Sequence, residues 1–313
     1  MNQTAAFTLL EQQGILAVRG VDAGKFLQGQ LTCNLDYVSH DRSSLGARCT
    51  PKGRMQSSFR LVMQGDGYLL SMQRELVDSQ LADLKKFAIF SKSTLLDESQ
   101  AWAQFGLIGA DAALQELGIE LAAEPNAVTQ HNGMLAIRVT PLLSELWLPA
   151  AQAGCTGKKL AGLLEQTNTN HWQLELIRSG IGHVSAPLWE SFIPQMINLP
   201  ALDGVSFKKG CYTGQEIVAR MQYLGKQKRQ MFRFTTNNPT LPEAGTALLG
   251  PDGASKVGEV VVAAKSATGV ELLAVTLVDV AAEPGLLLDV ADRPQLIPAA
   301  LPYEIDNERE IQR

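Results

Sequence analysis

The order of strand-like and helix-like segments constrains the fold of this chain more than any other feature of its sequence. A strand, a helix, two strands and a second helix follow one another twice in the first 165 residues. Short β-branched and apolar runs indicate the strands, and apolar positions three and four apart indicate the helices. This order predicts two ferredoxin-like α+β units. The predicted elements are 14–19, 21–31, 60–63, 68–72 and 78–87, then 105–108, 110–117, 134–139, 145–148 and 158–165.

The last part of the chain has a different character. Beyond about residue 236, short β-rich runs alternate with Gly, Pro and Asp turns, a pattern that predicts a small β-barrel. A chain of 313 residues is also too long for one compact core. We therefore expect an N-terminal α+β domain over 1–100, completed by 170–235, a second α+β domain over 101–169 and a C-terminal β-barrel domain over 236–313.

The composition is typical of a globular cytoplasmic protein. Hydrophobic residues make up 45% and charged residues 19% of the chain. We expect no secretory signal and no contact with a membrane, because no apolar run approaches the roughly 20 residues that span a bilayer.

The four cysteines lack the CxxC spacing of a zinc or dithiol site, so we predict no metal site and no disulfide. They are Cys33, Cys49, Cys155 and Cys211.

Positive charge is concentrated in one stretch of an acidic chain. Between Val205 and Arg233 lie seven basic residues and one acidic residue, Glu216, which gives this stretch a net charge of +6. The whole chain carries −5, so the remainder carries −11. Such a stretch indicates either an anionic partner held at one place or a solvated charged face.

The same stretch contains the segment with the most chemistry, 208–216, which reads KKGCYTGQE. Thr213 and Glu216 have the spacing of a capping box, so we predict a helix that begins at Thr213 and ends near Gly225. Cys211 would then lie just before a helix N-terminus, with lysines close by, which favours a reactive thiolate. The alternative is that Cys211 is a small buried apolar residue, the commonest position of a free cysteine.

This segment resembles the signature of the YgfZ family, and the resemblance extends over nearly the whole chain, including the stretches 20–32, 50–55, 192–199 and 301–303. Proteins of that family are similar in fold to the aminomethyltransferase, or T-protein, of the glycine cleavage system. The resemblance implies two α+β domains and a terminal β-barrel around a central folate cleft. It also implies tetrahydrofolate as cofactor, and a link to tRNA modification and to the maintenance of iron–sulfur enzymes.

The resemblance also implies which residues form the site. Cys211 would be the functional thiol, and Trp172 matches a tryptophan linked to folate binding. The family's other folate-associated tryptophan falls near Gln13. Arg178 replaces a glutamate that can accept hydrogen bonds from a pterin. The remaining matched positions, expected near the cofactor, are Lys209, Tyr212, Gln215, Glu216, Gln195 and Asn198.

Three hypotheses about function follow. The first is a folate-binding accessory protein that supports the maturation or repair of iron–sulfur enzymes and thereby tRNA thiolation. Its partners would be folate and either tRNA or iron–sulfur tRNA-modifying enzymes. The second is a folate-dependent aminomethyl transferase, which would need a carboxylate as proton shuttle. The third is a tRNA-binding module that uses the basic stretch, in which few aromatic residues are available for stacking.

Overall fold

The computed structural model describes residues 4–305, so residues 1–3 and 306–313 of the expected first and third domains lie outside the described residues. The first elements are β1 (Ala6–Leu9), β2 (Gln13–Arg19), α1 (Ala23–Gln28), β3 (Ser44–Cys49), β4 (Met55–Gln64), β5 (Gly67–Gln73), α2 (Val77–Phe87) and β6 (Thr94–Asp97). Next come β7 (Trp102–Ile108), α3 (Asp111–Glu116), β8 (Val128–His131), β9 (Met134–Arg138), β10 (Leu143–Pro149), α4 (Ala150–Ala161), β11 (Glu165–Gln166), α5 (Thr169–Arg178) and α6 (Gln215–Leu224). The last strands are β12 (Arg229–Thr236), β13 (Ala247–Leu249), β14 (Lys256–Ser266), β15 (Gly269–Leu277), β16 (Leu287–Leu288) and β17 (Ile297–Ala299).

These strands form three sheets. Their orders are β3–β4–β5–β2–β6 in the first sheet, β11–β1–β7–β10–β9–β8 in the second and β16–β13–β14–β15–β12–β17 in the third. Helices lie between the strands of the first two sheets along the chain, whereas the third sheet is formed by the strands of its last part. This mixture confirms the expected α+β class. β1 lies within the expected first domain but pairs in the second sheet, and β12 precedes residue 236 but pairs with β15 in the third sheet.

Local sequence explains where several elements begin and end. The hairpin of β4 and β5 closes at the predicted turn, where Gln64 pairs with Gly67 and Gly65 has a φ of 60° that glycine tolerates best. Helix α5 begins after Asn168, whose side chain accepts a hydrogen bond from the N–H of His171. No helix within residues 4–305 is long and apolar enough to span a membrane.

One predicted helix was wrong in position. The sequence placed a helix at 158–165, but α4 covers Ala150–Ala161, and Glu165–Gln166 is an edge strand beside β1. Two glycines at 154 and 157 weaken the helical signal in the first turns, although the alanines around them are strong helix formers. The predicted segment therefore contained only the last turn of the helix.

The sheets pack through apolar faces into shared cores. Ile15 and Val62 of the first sheet and Ile137 and Trp147 of the second belong to one buried cluster. The largest cluster contains Phe59 and side chains from α5, α6 and the third sheet, among them Ile177, Val218 and Val261. The connection between α5 and α6 is thereby held against the first sheet, where it carries the 208–216 segment.

Candidate functional site

The segment before α6 is fastened to the connection between α1 and β3. The N–H of Ser206 donates to the carbonyl oxygen of Thr32 at 2.9 Å, and the N–H of Thr213 donates to that of Gly29 at 3.2 Å. Between them, Lys209 Nζ donates to the carbonyl oxygens of Leu31 and Cys33 at 2.8 and 2.7 Å. These four hydrogen bonds fix residues 206–213 on the first domain.

Lys209 is thus a buried structural lysine. Its side chain is buried, its ammonium lies 5.1 Å from the centre of the Tyr212 ring, and burial lowers its pKa to about 8. The sequence suggested that this charge would favour a thiolate at Cys211, but the ammonium is instead bonded to two backbone carbonyls. The neighbouring lysine, Lys208, is exposed to solvent.

Helix α6 begins two residues later than predicted. Its N-cap is Gly214, with a φ of 87°, and no side chain caps the helix, so the predicted capping box of Thr213 and Glu216 is wrong. A Cβ at position 214 would lie 2.5 Å from the carbonyl oxygen of Thr50, which explains why glycine occupies it. Gln215 Oε1 accepts a hydrogen bond from the N–H of Tyr212 at 3.3 Å, and Glu216 is exposed. The predicted C-terminal boundary is confirmed, because α6 ends at Gly225.

The cysteines fall into two classes. Cys33 and Cys49 are buried, and burial raises their pKa to about 11 and about 12. Cys211 and Cys155 are exposed, and Cys155 lies within α4. The buried, apolar alternative therefore does not apply to Cys211. Within residues 4–305, no group of three or more His, Cys, Asp or Glu side chains could hold a metal ion.

A large cavity lies beside this segment, with a volume of about 1440 Å³. Its wall is formed by the start of β3, by the turns between residues 195 and 208 and by the end of α6, and Cys211 itself does not line it. Charged side chains on the wall are the basic Arg42, Lys208 and Lys226 and the acidic Asp203 and Glu304. Its amide side chains are Asn34, Asn126, Gln195, Asn198, Gln222 and Gln227.

Gln195 and Asn198 are the buried polar side chains of this wall with unused acceptors. Gln195 Nε2 donates to the carbonyl oxygen of Val218 at 2.7 Å, and Asn198 Nδ2 donates to that of Met231 at 2.9 Å. Gln195 Oε1 and Asn198 Oδ1 have no hydrogen-bond partner among residues 4–305. Buried acceptors without partners are costly, so both oxygens favour a donor such as a buried water.

Of the eight residues expected near the cofactor, Gln195 and Asn198 line this cavity, whereas Trp172, Gln13, Lys209, Tyr212, Gln215 and Glu216 do not. Trp172 is 1% exposed and packs on Gly106, where a Cβ would lie 2.6 Å from the indole. The ring is buried in the contact between α5 and the second sheet, and its role in folate binding stays a prediction. Gln13 is half-buried at the start of β2, paired with Gln73, and neither residue lines the cavity.

Arg178 links α5 to the third sheet. Its guanidinium donates to Glu271 Oε1 at 2.7 Å and to Glu175 Oε1 at 2.8 Å, and Arg233 donates to Glu271 Oε2 at 2.7 Å. Of the seven basic residues counted in the sequence, Lys209 is buried and Arg233 is paired. The others have no acidic partner among residues 4–305: Lys208, Arg220, Lys226, Lys228 and Arg229.

Sequence reasoning missed part of the site. Arg42, Asn126 and Gln227 line the cavity from distant parts of the chain, and no local pattern marks them. Gln227 Nε2 donates to the carbonyl oxygen of Gln195 at 2.7 Å and so fixes the turn that carries Gln195. Only the folded chain brings these positions together.

Comparison with known proteins identifies relatives of the chain, although no protein-family model matches it. The tRNA-modifying protein YgfZ of Yersinia pseudotuberculosis is 37% identical over 244 residues, which cover 76% of this chain and 73% of that protein. The YgfZ protein of Escherichia coli O157:H7 is 36% identical over 243 residues, with 76% and 74% covered.

A solved structure supports the fold. The glycine cleavage system aminomethyltransferase T from Bartonella henselae superposes with a TM-score of 0.73, covering 95% of this chain and 85% of its own at 14% identity. At that identity the likeness concerns the fold alone, and it confirms the predicted aminomethyltransferase-like architecture. The sequence identity to the curated relatives, over most of both chains, goes further: this chain belongs to the YgfZ family.

Proposed function

We propose that this chain is a folate-binding accessory protein in tRNA modification, and that it supports the iron–sulfur enzymes of such pathways. The observation that carries the proposal is the 1440 Å³ cavity beside residues 206–213, whose wall combines buried amide acceptors with basic side chains. The names of the curated relatives support the link to tRNA modification, and the aminomethyltransferase fold supports folate. The link to iron–sulfur enzymes rests on the family resemblance.

The residues of the cavity fit a folate. The pterin ring presents N–H donors, which suit the amide side chains of the wall. The glutamate tail presents carboxylates, which suit Arg42, Lys208 and Lys226 on the wall. A folate bound here would meet both amide and basic side chains of the wall, without a contribution from Trp172.

The transferase hypothesis is less well supported. In the folate enzymes a glutamate accepts hydrogen bonds from the pterin at the position of Arg178, and arginine offers donors only. Here the guanidinium of Arg178 is engaged by Glu175 and Glu271, so the position supplies neither an acceptor nor a free base. An accessory role, which needs binding and not turnover, requires no such group.

Calorimetric titration with tetrahydrofolate under anaerobic conditions tests the proposal. We expect saturable binding that is weakened roughly tenfold by Lys208→Met combined with Lys226→Met, because two carboxylate contacts are lost. Lys265→Met, an exposed lysine on β14 away from the cavity, is the matched control and should leave the affinity unchanged. Absence of saturable binding at millimolar tetrahydrofolate would refute a folate site.

Contact with tRNA is part of the same proposal. Lys226 and Lys228 are exposed at the end of α6, and Arg220 is exposed on the helix itself. With Arg229 they form a cationic surface beside the cavity, which we call the α6 surface. Exposed cations without acidic partners among residues 4–305 suit the phosphates of a nucleic acid.

A further inference from the structure

An exposed apolar segment follows α2 on the first domain, and the proposed function does not use it. Phe87 is 52% exposed, Ile89 is 74% exposed and Phe90 is fully exposed. Single exposed apolar residues are common on protein surfaces, whereas three within four positions indicate a contact surface. The sequence of this segment, residues 85–92, is KKFAIFSK, so lysines flank the apolar residues on both sides.

The ring of Phe87 is held in place from beneath. The guanidinium carbon of Arg48 lies 5.7 Å from the ring centre, within the range of a cation–π contact. Arg48 is buried, with Nη2 bonded to Asp83 and Nη1 donating to Gln56 Oε1 at 3.0 Å. An exposed ring oriented by a fixed, buried cation is pre-organised to receive another flat group on its open side.

The surroundings of the segment are basic. Lys85, Lys86 and Lys92 are exposed, and the acidic partner that the structure gives them is Asp83, which bonds Lys86 at 3.0 Å. The N–H of Lys92 donates to the carboxylate of Asp22 at 2.8 Å, which brings α1 and its exposed Lys25 to the same place. Aromatic rings among cations are the elements with which proteins hold single-stranded nucleic acid.

We propose that residues 85–92 form a stacking platform for unpaired bases of an RNA, with Phe87 and Phe90 as the stacking rings and the lysines at the phosphates. This inference rests on the proposed contact with tRNA and names the kind of RNA structure that is recognised, a loop or a single-stranded end. Paired bases are already stacked within their helix and offer no free face.

The platform and the candidate site share β3. Arg48, beneath Phe87, precedes Cys49 in that strand and pairs with Leu31, whose carbonyl oxygen binds Lys209. Thr50, which follows the strand, is in close contact with Gly214 at the start of α6. An RNA loop on the platform therefore lies on the same domain edge as the 208–216 segment.

Fluorescence anisotropy with a labelled 12-nucleotide single-stranded RNA and with the duplex of the same sequence tests the inference. The wild type should bind the single strand more tightly than the duplex. Phe90→Ala should weaken single-strand binding about tenfold, because one stacked base is lost. Phe90→Tyr should bind like the wild type, since tyrosine also stacks, and Phe90→Leu should bind like Phe90→Ala, since it keeps the apolar volume but not the flat ring.

Two further variants separate the inference from the proposed function. Ile297→Ser, at an apolar residue of β17 that is 52% exposed, is the matched control and should not change binding. If replacement of the α6 surface cations abolishes RNA binding while Phe90→Ala leaves it intact, the proposed tRNA contact stands and the platform does not. If Phe90→Leu binds the single strand as well as the wild type, stacking on Phe90 is refuted. If the wild type binds no RNA, both ideas fail.

Discussion

Among single residues, the four cysteines show how environment decides chemistry. Burial keeps Cys33 and Cys49 protonated at neutral pH, with pKa values of about 11 and about 12. Cys211 and Cys155 are exposed, and only Cys211 lies close to a helix N-terminus, four residues before Gln215. A thiol can attack or ligate only as an accessible thiolate, so Cys211 is the residue that we propose as the functional thiol.

We predict that Cys211 is alkylated faster than Cys155 in the folded protein, and that Cys33 and Cys49 react only after unfolding. Mass mapping after timed exposure to iodoacetamide measures all four rates. Cys211→Ser should fold normally yet fail to restore tRNA thiolation in a strain that lacks the protein, whereas the matched control Cys155→Ser should restore it. Full complementation by Cys211→Ser would contradict a functional thiol at this position.

Residue types were easier to predict than the partners of each residue. The motif marked Lys209 as important, but its sequence neighbours suggested a partner at Cys211, and the fold gives it the carbonyls of Leu31 and Cys33 instead. Trp172 was expected at a ligand and lies in the core on Gly106. In both cases the contact joins residues more than 60 positions apart, which local spacing does not reveal.

At the scale of elements, periodicity located most helices and strands, and termini were less well predicted. The S/T-x-x-E spacing indicated a helix start at Thr213, but Gly214 adopts a left-handed conformation and interrupts the helix there. A Cβ at this position would also lie 2.5 Å from the carbonyl oxygen of Thr50, so the close contact requires glycine. A tertiary contact therefore overrides a local capping signal, and α6 begins at Gln215.

The ion pairs that link α5 to the third sheet should make the stability of the folded chain depend on pH. Burial alone would raise the pKa of Glu271, but hydrogen bonds from Arg178 and Arg233 outweigh it, so the pKa lies below its usual 4.5. At pH values between the pKa of Glu271 in the folded chain and its pKa in the unfolded chain, the unfolded chain binds more protons. The stabilisation is therefore present above the unfolded pKa and is lost as pH falls through the folded pKa.

We expect Glu271→Gln to lower the free energy of unfolding at pH 7 by about 1–2 kcal/mol, a value reduced from that of a fully buried pair because Arg178 is partly exposed. Urea unfolding between pH 3 and 7 should show that the variant loses less stability than the wild type on acidification. Glu259→Gln, which removes a single pair with the exposed Lys256 on β14, should change little. An identical pH dependence for Glu271→Gln and the wild type would exclude this role.

At the scale of the whole molecule, the three-part architecture follows from the order of elements, whereas the cavity does not. Strand and helix patterns are local, so two α+β units and a β-rich end could be predicted from the sequence alone. The cavity wall takes Arg42 from the start of the first sheet, Asn126 from the second domain and Lys226 from beyond α6. Its size and its mixture of amides and cations depend on how these parts pack.

The separation of charge is also a property of the whole molecule. A stretch with a net charge of +6 lies in a chain whose remainder carries −11. Three of its cations lie between the end of α6 and the first residue of β12: Lys226, Lys228 and Arg229. Electrostatic contact with tRNA phosphates releases counterions, so affinity should fall steeply as salt rises. We expect the simultaneous change of these three residues to glutamine to weaken binding strongly at low salt.

The slope of the logarithm of the association constant against the logarithm of salt concentration measures how many of these contacts form. The triple variant should reduce this slope by about 2–3, since each phosphate contact contributes about 0.7–0.9. The matched control changes three exposed lysines elsewhere, Lys158, Lys159 and Lys265, to glutamine and should keep the wild-type slope. Because both variants lose the same net charge, a difference between them reports position and not overall charge. Binding that is insensitive to salt, or equal slopes for the two variants, would show that the α6 surface does not hold the RNA.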